Sequence, residues 1–235
     1  MFVDLRGYTA LAQDFPPEEL FSLIDRYTRT VARIVRAHGG FATEFNGDGL
    51  MAVFGARAKR IGKEQAALGA ALSVVDEVAA LDVGPARQGS RRLTVGVGIA
   101  TGRAFVGRIR AADRCVWAAV GTTTNLASRL QALSRDFEAS IVIDDATRAA
   151  AGFDPGLVSL PGVRIRGLRD PVDVHVLPRE RRSEAREAAT SSIVSPRWAS
   201  LGAPVAAGLE GLDGTAPASL PSVPQMPSSQ ASVRA

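Results

Sequence analysis

The stretch Glu44-Phe45-Asn46-Gly47-Asp48-Gly49-Leu50-Met51-Ala52-Val53-Phe54-Gly55 decides how the rest of the chain is read. Apolar, β-favouring runs at 40–45 and 50–54 flank Asn-Gly-Asp-Gly, a combination that is a strong local signal for a tight β-hairpin. The Asp48 carboxylate is thereby placed at a turn. Taken alone, Asp and Gly at a hairpin tip serve the backbone, because both tolerate turn dihedrals and Asp bonds its own main chain. A second acidic turn changes that reading. In Phe2-Val3-Asp4-Leu5-Arg6-Gly7-Tyr8-Thr9 a short apolar strand again ends in Asp, and a glycine then turns the chain before a helix. Carboxylates on two strand ends can share one pole of a sheet. Magnesium is held by one or two carboxylates together with waters and substrate phosphates, not by a full protein cage. Asp4 and Asp48 are therefore the candidate metal ligands.

Composition bounds the function classes. A chain of 235 residues, 46% hydrophobic and 22% charged, can bury one ordinary core, and its length allows one or two domains. The net charge is +4, but Lys and Arg are scattered and not massed with aromatics, which argues against nucleic-acid binding. A modest basic excess suits a polyanionic small ligand. The single cysteine, Cys115, excludes an intramolecular disulfide and a cysteine-based metal site, and fits a reducing, cytoplasmic setting. No apolar run reaches the roughly 18 to 20 residues of a membrane helix, and nothing at the start reads as a signal peptide.

Working outward, Pro16 and Pro17 open a helix with Glu18 and Glu19 in its first turn, where the helix dipole favours negative charge. Leu20, Leu23, Ile24, Tyr27, Val31, Ile34 and Val35 recur at helical spacing, Gly39-Gly40 ends the run, and His38 reads as a partner of the helix C-terminus. A second helix is expected over 64–81 and a loop over 82–92. Leu93 to Ala100 alternates β-branched residues with glycine, as in a central strand closely approached by another backbone. Strands are expected over 103–110 and 115–120. A helix follows over 122–134, whose three threonines offer caps or phosphate contacts. A strand at 140–143, a short helix at 144–151 and a closing hairpin of 163–165 with 172–176 complete an α+β, ferredoxin-like arrangement, an antiparallel sheet with helices on one face. That domain spans 1–178. Residues 181–235, rich in Ser, Ala and Pro, read as a disordered tail.

Four segments in order carry a resemblance: Val3 to Thr9, Gly47 to Gly55, Val95 to Gly102, and Val120-Gly121-Thr122-Thr123-Thr124-Asn125-Leu126-Ala127-Ser128-Arg129-Leu130. Together they resemble the successive motifs of class III nucleotidyl cyclases, catalytic domains that act as signalling outputs. The resemblance implies conversion of ATP to 3′,5′-cyclic AMP and pyrophosphate, with GTP as the alternative substrate, at two Mg2+ or Mn2+ ions held by Asp4 and Asp48. It implies that Asn125 orients the ribose and that Arg129 binds the α-phosphate. These residues are spaced i, i+4 and so share a helix face. Gly7, Tyr8 and Thr9 follow the first Asp before a helix and would cradle the triphosphate, and Arg166 falls where the family often has a phosphate-binding lysine. The family works as a homodimer with an arm over 103–120 and composite sites at the interface.

Glu44 and Ala118 occupy the base-reading positions. A carboxylate at Glu44 can accept from guanine N1–H and the exocyclic amine, whereas Ala118 offers neither base a partner. Cys115 is too far along its strand to replace it. Thr122 and Thr124 also depart from the common pattern. The family has several residues before its first Asp where this chain has three, so the first strand reads as truncated, from a fragment or a late start codon, and a regulatory or membrane segment is expected upstream. Two other readings compete: a degenerate cyclase-like domain that only binds nucleotide, and a plain dimerising α+β module.

Overall fold

Val95-Gly96-Val97-Gly98-Ile99 forms β4, the middle strand of the sheet, and its alternation sorts the whole molecule into two faces. Val95, Val97 and Ile99 enter the larger hydrophobic core with residues of two long helices. Gly96 and Gly98 point the other way and leave room for a third helix. A Cβ on Gly98 would lie 2.2 Å from the Gln131 backbone nitrogen and 2.3 Å from the Ala127 carbonyl oxygen. Only glycine admits that approach.

The structure is a computed structural model that describes residues 1–56, 62–81, 83, 92–111 and 114–179. All of these fall within the unit Met1–Val194, and the expected tail over 181–235 lies outside the described residues. In chain order the elements are β1 (Phe2–Leu5), α1 (Tyr8–Asp14), α2 (Pro17–Ala37), β2 (Phe41–Asn46), β3 (Gly49–Val53), α3 (Lys63–Ala79) and β4. They continue as β5 (Phe105–Ala111), β6 (Arg114–Val120), α4 (Thr122–Asp136), β7 (Ala139–Asp144), α5 (Asp145–Ala151), β8 (Val158–Val163) and β9 (Val172–Pro178).

The main sheet has the order β2-β3-β1-β4-β7-β9-β8. All its pairs are antiparallel except β4 with β7. Its first half is the ferredoxin-like unit the sequence predicts: β1 sits between the second hairpin strand and β4. Strands β5 and β6 form a separate two-stranded ribbon.

Helix α2 buries the predicted stripe, with Leu23, Tyr27, Val31, Ile34 and Val35 inside. It ends at His38, whose ring Nδ1 donates to the Ile34 carbonyl at 2.9 Å, while Gly39 takes the left-handed conformation that closes the turn.

Three expectations change. The helices do not all lie on one face: α2 and α3 pack on the Val97 side, and α4 packs on the glycine side over β4 and β7. The threonines do not cap α4, whose N-cap is Gly121; the Thr123 hydroxyl donates instead to the Arg103 carbonyl at 3.0 Å. The closing hairpin pairs 158–163 with 172–178. Ile165 and Arg166 lie in the connecting turn, which Gly167 (φ 87°) and the Leu168 N–H to Ile165 carbonyl bond (3.0 Å) define.

Because the Gly98 contact is with backbone, which cannot rotate away, Gly98→Val is expected to lower unfolding free energy by about 2 kcal/mol or more. Urea denaturation of the variant against the parent checks this.

Candidate active site

The register of β1 sets the site. Asp4 pairs with Gly49 of β3 on one side and Gly96 of β4 on the other, so its side chain faces the α4 side of the sheet. Asp48 immediately precedes Gly49 in the hairpin turn, where Gly47 has φ 62°. Both carboxylates therefore belong to one pole of the sheet, as the two acidic turns predict. Burial raises the Asp4 pKa most and repulsion from Asp48 adds to it, while Arg135, a hydrogen bond from Gln131 and Arg6 oppose. Burial also raises Asp48, against its backbone hydrogen bond and Arg135.

The C-terminal half of α4 surrounds Asp4 with residues that sequence reading did not single out. Arg6 crosses from the end of β1 and donates from Nη2 to the Ser134 carbonyl (2.8 Å), the Ser134 hydroxyl (3.0 Å) and the Ala139 carbonyl. Its Nε and Nη1 are buried without a hydrogen-bond partner among the described residues. Burial, then Arg179 and Arg135, lower its pKa to about 10 against the pull of Asp4, so it stays cationic at neutral pH. Gln131 and Arg135 are spaced i, i+4 on α4. That spacing was the available signal, but nothing local showed which end of the helix meets Asp4.

Asn125 on the N-terminal half of α4 and Arg129 at its middle are exposed, whereas Ala127, Leu130 and Ser134 are buried against the sheet. Asn125 and Gln131 are about 9 Å apart along the axis at 1.5 Å per residue. One chain thus brings Asp4 and Asp48 together but leaves Asn125 and Arg129 facing outward.

Gly7 (φ 72°) is the left-handed N-cap of α1, and Tyr8 and Thr9 begin that helix without a side-chain cap. Glu44 lies on β2, where the register with β3 slips between Ala42 and Glu44; its side chain is outside the described residues. Half-buried Ala118 lies on β6 and pairs with Gly107 of β5. Strands β2 and β6 are neighbours, joined by the edge-to-face contact of Phe41 and Trp117 at 5.9 Å. Arg166 is exposed in its turn beyond β8, on the far side of the sheet from β1.

An open cleft, lined by Phe2, Phe54, Lys63, Ile99 and Thr123 among others, lies at the opposite pole, where β3 and β4 end. It holds neither acidic residue.

The donor set at the acidic pole suits a hard divalent cation. Among the described residues no three His, Cys, Asp or Glu side chains converge, so a cation there would take two carboxylates and complete its shell with water, backbone carbonyl or phosphate oxygens. That is the pattern of magnesium at phosphoryl sites. Like-charged carboxylates held in partial burial are relieved by such an ion.

Comparison with known proteins agrees with the fold. Residues 1–154 match the family described as adenylate and guanylate cyclase catalytic domain. "Adenylate cyclase 1" of Rhizobium meliloti (strain 1021) is 30% identical over 149 residues, which is 63% of this chain and 22% of that relative. The adenylyl cyclase CyaB from P. aeruginosa superposes with a TM-score of 0.64 at 25% identity, over 74% of this chain and 90% of that one. The guanylyl cyclase Cya2 does so with a TM-score of 0.60 at 28% identity, over 74% and 88%. The chain belongs to the class III adenylate and guanylate cyclase catalytic-domain family. It spans under a third of the length of the curated relatives it matches.

A carboxylate whose folded pKa is raised binds its proton more tightly in the folded state, so its ionisation opposes folding as pH rises through that window. Asp48→Asn is therefore expected to melt higher than the parent at pH 7 in chelator, with the gap closing as pH falls toward 4. A thermal melt series over pH checks this, and a lower melting point at pH 7 would contradict it.

Proposed function

We propose that this domain converts ATP to 3′,5′-cyclic AMP and pyrophosphate as a homodimer with two composite sites. The observation that carries the reading is the division of the family's site residues: Asp4 and Asp48 meet at one pole, while Asn125 and Arg129 of the same chain face solvent on α4. A second copy, related by a twofold axis, supplies what each acidic pole lacks. The ribbon of β5 and β6 supports such an interface, since Phe105 is 77% and Val120 59% exposed, with Ile109, Val116 and Trp117 beside them. Apolar residues gathered in this way mark an association surface.

In the reaction the ribose 3′ oxygen attacks the α-phosphorus in line and pyrophosphate leaves. Asp4 and Asp48 would hold Mg2+ or Mn2+, and the bound ions would supply Lewis acidity for the phosphoryl transfer. The turn at Gly7, Tyr8 and Thr9 receives the phosphate chain. From the partner, Asn125 orients the ribose. Arg129 meets the α-phosphate with a planar guanidinium, whose bidentate geometry suits the charge that develops on the transferring group. Arg166 of the partner is the remaining candidate for the terminal phosphates.

ATP is placed first because the curated relatives of Rhizobium meliloti and Anabaena cylindrica are both named adenylate cyclases. One observation favours GTP: the residue at the base-reading position is Glu44, and Cya2 is named a guanylyl cyclase. Purified protein with Mn2+ and each nucleoside triphosphate, followed for pyrophosphate and cyclic product, decides between them. Glu44→Lys is expected to move the ATP/GTP preference toward ATP by about tenfold, the worth of one charge-assisted hydrogen bond.

Asp48→Ala and Arg129→Ala are each expected to abolish product. Mixed in equal amounts and allowed to exchange subunits, they form heterodimers as half of all dimers, and each heterodimer keeps one of two sites. The mixture should recover about a quarter of the parent rate. No recovery, despite demonstrated exchange, would refute the composite site.

A further inference from the structure

The ribbon of β5 and β6 has a ladder of its own and, among the described residues, none with the main sheet. Backbone hydrogen bonds therefore do not fix where β6 lies beside β2, the edge strand it neighbours. Side chains do. At its root the ribbon is tied to α4, where the Thr123 hydroxyl donates to the Arg103 carbonyl at 3.0 Å. At its middle the Trp117 ring meets Phe41 of β2 edge-to-face, with centroids 5.9 Å apart and planes at 73°. Arg108, the cross-strand partner of Trp117, places its guanidinium carbon 5.2 Å from the centre of the same ring. Trp117 is thus held from two strands at once, although 40% of it is exposed. Ring quadrupoles give both contacts a preferred distance and angle.

The residues so joined adjoin the two base-reading positions. Ala118 follows Trp117, and Glu44 lies three residues after Phe41, past the register slip of β2 against β3. We propose that Trp117 is a positioning residue of the base pocket, whose contacts with Phe41 and Arg108 set the separation of β6 from β2, and so of position 118 from position 44, around a purine. The inference rests on the reading that those two positions face the base. The elements assigned to the phosphate chain, the turn at Gly7 and helix α4, are not part of this contact. Loss of the indole should therefore be felt by the base and not by the phosphates.

The test uses the full chain with Mn2+. Trp117→Leu is expected to raise the KM of the preferred nucleoside triphosphate by about 2- to 10-fold, the worth of one aromatic pair. The inhibition constant of inorganic tripolyphosphate, which has no base, stays within twofold. Trp117→Phe keeps a ring at the contact and recovers most of the loss. Phe41→Leu has the same effect as Trp117→Leu, and the two together cost little more than either alone. Glu44→Lys, expected to shift the ATP/GTP preference about tenfold in the parent, should shift it by under about threefold in the Trp117→Leu background. A shift of equal size in both backgrounds overturns the role of Trp117 and leaves the base-reading assignment standing. If Glu44→Lys moves the parent's preference by less than twofold, that assignment falls and takes this inference with it. Weakening of tripolyphosphate in step with the nucleotide makes the ring a general support of fold or dimer, and also overturns the proposal. Should Trp117→Leu fail to fold, Phe41→Leu carries the same comparisons from the other side of the contact.

Discussion

The contact on which the rest of the structure depends is that of Gly98 with the backbone of α4 at Ala127 and Gln131. A side chain there would hold the helix off the sheet by the width of at least a methyl group. Without one, α4 lies directly on β4 and β7, with Leu130 sealed against Val142, Val174 and Val176. The close seat carries the far end of the helix to the tip of β1, where Ser134 takes the Arg6 guanidinium and Gln131 reaches Asp4. A strand with two missing side chains thus determines where a carboxylate sits.

The acidic pole is arranged against the chain's own stability. Asp4 and Asp48 are pushed toward their neutral forms by burial, and two nitrogens of Arg6 are enclosed without hydrogen-bond partners among the described residues. Sites that must bind a charged ligand commonly keep such uncompensated groups, at a cost in stability that the remainder of the fold offsets. Here the offset is a core running continuously from β1 through α2 and α3 to β7.

Helix α4 presents two sets of side chains. Gln131 and Arg135 act on the acidic pole of their own chain, whereas Asn125 and Arg129 are exposed. In a twofold dimer the same rigid element would brace one site and complete the other. The cleft at the opposite pole fits this logic, because a site completed by a second subunit need not be a cavity in one.

The elements themselves were largely legible in the residues. The hairpin around Asp48, the apolar stripe of α2 and the glycine alternation of β4 are local patterns, and backbone sterics and side-chain periodicity act over a few residues at a time. The pairing of Asp4 with Asp48 followed from two strand ends, each marked by its own turn. Tertiary structure alone decided which face α4 covers, because an alternation identifies two faces without saying which helix takes which. It also decided that Gly167 turns Arg166 out of a strand, and that Arg6 is anchored by Ser134 and Ala139, 128 and 133 residues away. Contacts across such separations arise from packing geometry that no local pattern encodes. For that reason the acidic pair at the strand ends could be read from the sequence, while the residues packed around it could not.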